Sequence, residues 1–131
     1  MTKELLAKES DYSMIITTTA DKESAKSIAR LLVENQLAAC VQMFPIESVY
    51  VWQGKICEEN ETALFIKSKA ALFSKISAAI KENHTYEVPE IIQIDITDGL
   101  PEYLAWIADC TLKQNIDDRH IIFKLEAPFK K

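Results

Sequence analysis

Glycine is almost missing from this chain of 131 residues, with Gly54 and Gly99 its only two. A phosphate-cradling loop needs several glycines in close succession, so neither a GxGxxG turn nor a P-loop can exist here. Cysteine is equally sparse. Cys40, Cys57 and Cys110 are far apart, odd in number and never in CxxC spacing. They encode neither a disulfide framework nor a zinc knuckle, and they fit a reducing compartment. The two histidines, His84 and His120, form no recognisable triad with a nucleophile, and no enzymatic activity is expected. No run of Lys or Arg is present to track phosphates, and 20 acidic against 15 basic residues give a net charge of −5, which disfavours nucleic acid. Eighteen consecutive apolar residues occur nowhere, and the opening MTKELLAKESDYS lacks the apolar core of a signal peptide. The expectation is a cytoplasmic protein with no membrane association.

What the chain does contain is the composition of one globular domain, 48% hydrophobic and 27% charged. A chain of this size hides roughly two-thirds of its unfolded surface, enough to fold without disulfide, metal or cofactor. The β-branched run Met14 to Thr19 reads as a buried strand. Asp21 is placed to cap a helix running to about Asn35, with Ala25, Ile28, Ala29, Leu32 and Val33 on its inner face. Ala38 to Trp52 reads as a strand bent or bulged at Pro45, which cannot donate to a ladder. Gln53-Gly54-Lys55 turns it back into Ile56 to Glu58 and Thr62 to Lys67. Ser68 is expected to cap a second helix with Leu72, Phe73, Ile76, Ala79 and Ile80 inward and Asn83 at its end. Ile91 to Ile96 gives a fourth strand, and Pro101 opens a short C-terminal helix.

Two strand–helix–strand units sharing one sheet describe a ferredoxin-like βαββαβ sandwich of the α/β (α+β) class. Right-handed crossovers place both helices on one face and leave the other open. The middle hairpin is too long for the domain. Ala39 to Gln53 would extend roughly 50 Å at ~3.3 Å per residue, against a compact diameter of about 36 Å. Its tip carries Val49, Tyr50, Val51 and Trp52, apolar on both alternating faces. A monomer would expose these as an adhesive patch, so self-association is expected.

The motifs Leu37-Ala-Ala-Cys40, Ser48-Val-Tyr50-Val-Trp52-Gln-Gly54-Lys55, His84-Thr-Tyr86-Glu-Val-Pro89-Glu90 and Tyr103-Leu-Ala-Trp106 resemble the CutA (divalent-cation tolerance) family. The resemblance covers about Ser13 to Leu112. It assigns residues 1–112 to one CutA-like domain and leaves 113–131 as a C-terminal extension. The Ile121-Ile-Phe-Lys-Leu run of that extension is read as an edge strand or the cover of an apolar patch. The resemblance implies a homotrimer with an architecture like that of the PII signalling proteins. The chain departs from the family at Pro45-Ile46-Glu47, where Pro-Gly is usual, and at His84-Thr85-Tyr86, where His-Pro-Tyr is usual. Family members that bind copper use positions matching Thr17, Asn83 and His84. A hydroxyl and an amide are poor copper donors, so weak or moderate binding, leaning toward Cu(II) or zinc, is implied.

The candidate residues follow. His84 is the expected metal ligand, with copper or another divalent cation as the group held. Trp52, Tyr86 and Glu90 are expected to bind a small ligand in clefts between subunits. Tyr50 and Trp106 read first as core or interface, Cys40 as a small core residue, and Glu58, Glu59 and Glu61 as a solvated edge. Two functions compete: a trimeric binding or signalling protein linked to divalent metals, and a scaffold that anchors a partner protein.

Overall fold

The computed structural model describes residues 10–113. The Ile121–Leu125 run and His120 lie outside them. In order, the elements are β1 (Tyr12–Thr19), α1 (Lys22–Glu34), β2 (Cys40–Trp52), β3 (Lys55–Lys69), a 3-10 turn (Ala70–Leu72), α2 (Phe73–Asn83), β4 (Ile91–Asp95) and α3 (Pro101–Asp109). All pairings are antiparallel, in the order β2-β3-β1-β4. This is the expected ferredoxin-like βαββαβ sandwich with a C-terminal helix.

The period of two along β1 divides the sheet's faces. Ile15 with Leu64 and Ile66 of β3 points to the helices and is completely buried with Leu32, Leu37, Ile76, Ala79 and Ile80. Asp21 caps α1, its Oδ1 accepting from the Ser24 N–H at 2.8 Å. That bond stabilises the ionised carboxylate and holds Asp21 below its ordinary acidity. The inner face of α1 includes Leu31, whereas Val33, expected inside, is 43% exposed. Ser68 does not cap α2. It belongs to β3, and its hydroxyl donates to the Leu37 carbonyl at 2.6 Å, while α2 grows from the 3-10 turn without a side-chain cap. Asn83 ends α2, donating back to the Ala79 carbonyl at 2.8 Å.

Pro45 produces no bulge. The β2–β3 register runs unbroken from Cys40↔Lys67 through Pro45↔Thr62 to Trp52↔Lys55. Because β2 is an edge strand, the donor that proline lacks can face away from the ladder. Gln53 and Gly54 close the hairpin with φ of 51° and 76°, the doubly positive pair of a type I′ turn. β1 reaches β3 only from Thr62 to Lys69. The seven residues Lys55–Glu61 therefore have β2 alone beside them, an overhang of about 23 Å.

On the open face Phe44 meets Phe65 edge-on at 4.8 Å. Ile92 and Ile94, opposite Ile16 and Met14, stay 46% and 44% exposed.

Candidate functional site

The loop between α2 and β4 carries the chain's chemical groups to one end of β1. His84, directly after α2, crosses to β1, where its Nε2–H donates to the Thr18 carbonyl at 2.6 Å. Its Nδ1 accepts the Tyr86 backbone N–H at 3.0 Å. The two bonds define a neutral imidazole protonated at Nε2. Its ring lies 4.8 Å from that of Tyr86.

Tyr86 then reaches β3. Its hydroxyl donates to Glu61 Oε2 at 2.7 Å, and the Thr18 hydroxyl approaches the same oxygen at 3.4 Å. Burial, followed by the bond to the Glu61 carboxylate and its charge, drives the Tyr86 phenol far above its ordinary value. Farther out on the same face of β3, the Glu59 carboxylate is the main influence on the Tyr50 phenol, which is pushed up to about 12. Two carboxylates two residues apart thus each act on a tyrosine phenol, and Glu61 holds its tyrosine by a hydrogen bond. Glu61 was legible only as part of an acidic edge. The alternation of β3, which puts Glu59, Glu61 and Ala63 on one face, was the signal available for its inward role.

Glu90 immediately precedes β4, one residue before the Thr17↔Ile91 pair that ends the ladder with β1, with an exposed side chain. His84, Tyr86 and Glu90 therefore gather at one end of β1. Trp52 does not join them. It pairs with Lys55 at the hairpin tip, half exposed, at the far end of the overhang from Glu61.

The sequence pattern of the family described as CutA1 divalent ion tolerance protein matches residues 13–110. The chain belongs to this family. A divalent-cation tolerance protein CutA from Thermus thermophilus is 39% identical over 99 residues, which are 75% of this chain and 96% of that protein. The chloroplastic protein CutA of Arabidopsis thaliana is 38% identical over 99 residues, and the chain spans only 54% of its length. The CutA1 structure from Oryza sativa is similar with a TM-score of 0.77 at 36% identity, covering 80% of this chain and 97% of that one. The periplasmic divalent cation tolerance protein CutA from Archaeoglobus fulgidus gives 0.75 at 38% identity over 76% and 97%.

Membership in CutA1 raises the question of a metal, which the donor set answers for a single chain. Among the described residues no three His, Cys, Asp or Glu side chains converge. Both nitrogens of His84 are committed to backbone partners, so a metal would have to displace one of them. Thr17, one of the three positions that the resemblance links to copper, is fully buried with an unpartnered hydroxyl. These residues do not make a copper site within one CutA1 protomer. Cys40, Cys57 and Cys110 are free, dispersed and half-buried, so the core place expected for Cys40 is only partial.

Proposed function

We propose that this CutA1 protein serves divalent-cation tolerance as a homotrimer that binds its ligand and catalyses no reaction. The observation that carries the reading is the overhang. Val49, Val51, Trp52 and Ile56 at its tip are 50–75% exposed, and the nearby open face presents Phe44, Ile92 and Ile94. Trp52 shares the open face with Phe44, Ile92 and Ile94, while Val49, Val51 and Ile56 lie on the opposite side of the arm, and apolar surface on both sides of a two-stranded arm is what association of copies would cover. Light scattering coupled to gel filtration tests it. A mass of three chains is expected, and a monomer at micromolar concentration would remove the reading.

Small-ligand clefts between subunits draw support from the separation of Trp52 and Tyr86. The overhang keeps the two apart within one chain, so a cleft lined by both needs the hairpin tip of a neighbour. In this reading copper binding is weak, because His84 must surrender a hydrogen bond to coordinate, and Cu(II) or zinc is preferred over Cu(I). Calorimetric titration with each ion, on the protein and on His84→Ala, checks the ligand. Tight binding untouched by the substitution would place the metal elsewhere. The absence of any binding would favour the scaffold reading. Three free cysteines suit a reducing compartment such as the cytoplasm.

A further inference from the structure

Of the nine residues of α3 only Ile107 is buried. A helix of this length is marginal in isolation, and one isoleucine gives it a small apolar grip. Two lysines of β3 add to that grip. Lys67 and Lys69 lie two residues apart, hence on one face of the strand. The Lys67 ammonium sits 5.6 Å from the centre of the Tyr103 ring, and Tyr103 in turn lies 5.5 Å from Trp106.

Lys69 is held more tightly. It is 9% exposed, and its Nζ donates to the Leu112 carbonyl at 2.7 Å and the Thr111 carbonyl at 3.3 Å. These carbonyls follow the helix's C-cap, Cys110, where the partial negative charge of the helix end attracts a cation. The Leu112 N–H then donates to the Gln36 carbonyl at 2.9 Å, and its side chain packs against the core. Burial and the charge of Lys113 disfavour the Lys69 ammonium, and Asp109 favours it. The ammonium therefore depends on the two carbonyls as much as they depend on it. Both partners lie just beyond residue 110, where the family match ends.

We propose that α3 is a strap closed against β3 by Lys69, and that its closure completes the surface a neighbouring subunit meets. The second clause rests on the homotrimer reading; the first does not. Closure fixes the Tyr103–Trp106 pair, 37% and 42% exposed, on the lysine-bearing side of β3. That side also carries Phe65 and its neighbour Phe44, so the strap extends the apolar face already described.

The test compares the full chain with Lys69→Met, which keeps the apolar stem, and Lys69→Arg, which keeps the charge. Hydrogen exchange is followed over residues 103–112 and over β1 and β3, together with oligomer mass against concentration. Lys69→Met is expected to speed exchange over 103–112 by about tenfold or more, as losing charged hydrogen bonds implies, with β1 and β3 unchanged. Lys69→Arg should restore part of the protection. The concentration at which the assembly dissociates should rise by a similar factor in Lys69→Met. Unchanged exchange over 103–112 would overturn the strap. So would loss of protection throughout β1 and β3, which would make Lys69 part of the core. Faster exchange with unchanged assembly would overturn the coupling. A monomeric wild type would remove the trimer reading and the coupling with it, while the exchange comparison would still decide the strap.

Discussion

The β2–β3 hairpin has two halves made of the same ladder and put to opposite uses. At its base, Thr62 to Lys67 of β3 lie between β2 and β1, and Leu64 and Ile66 are completely buried under the helices. Toward the tip, Lys55 to Glu61 have one neighbouring strand, and the apolar residues around them face outward. Backbone pairing is continuous across the boundary, so hydrogen bonding does not distinguish the halves. Burial does. The base stabilises the protomer, and the tip offers apolar area that only another molecule can cover.

Substitutions on either side of that boundary should separate the two uses. The largest effect belongs at the base: Leu64→Ala should remove about 3 kcal/mol of protomer stability through lost burial and an unfilled cavity. Urea denaturation would read it, and a change below ~1 kcal/mol would show that the base is not the centre of the core. At the tip, Trp52→Glu should leave the protomer's secondary structure intact while weakening assembly. An unpaired charge carried into an interface costs several kcal/mol, on the order of a broken buried pair. An unchanged oligomer mass would place Trp52 on free surface.

At the boundary itself, Tyr86→Phe should cost about 1 kcal/mol by stranding Glu61 without its donor. The phenol is raised in the folded state, so its stabilisation is complete below the ordinary tyrosine value near ~10 and fades as pH climbs toward the folded value. Stability of Tyr86→Phe should therefore fall less steeply above that point, a difference alkaline melting curves would reveal. The smallest effect lies away from the hairpin. Asp21 has a depressed value from capping α1, so its contribution is present above about pH 4 and disappears as pH drops through the folded value. Asp21→Ala should flatten that acid limb of the melting temperature, and an unaltered limb would assign it to other carboxylates.

The element order and both helix faces were readable because hydrophobic periodicity reports them directly. Ile28 and Leu32, or Ile76 and Ile80, recur at helical spacing and are buried where expected. The bulge expected at Pro45 is absent because the effect of proline depends on which edge of the strand faces the ladder, and that is a property of the sheet. Ser68 misled because a serine before a helix can serve a strand's needs first, as its bond to Leu37 shows. At the candidate site, His84 and Tyr86 were visible through their motif, but the partner that positions Tyr86 was not. Glu61 is 25 residues away in sequence, and only the strand register brings it there. The separation of Trp52 from Tyr86 is likewise a matter of the overhang's length and direction.

The strand order has a bearing on how the molecule comes into being. β1 is one of the sheet's two inner strands and the earliest of the described strands, yet both of its partners, β3 and β4, lie later in the chain. The β2–β3 hairpin can close around its own Gln53–Gly54 turn at once, whereas β1 must wait with Ile15 and Ile16 unpaired until residues 62–69 emerge. Non-local pairing of this kind slows folding and lengthens the life of exposed strand edges. During translation the hairpin would act as a template on which the older strand is later captured, and the interval before capture would be the nascent chain's period of greatest susceptibility to aggregation.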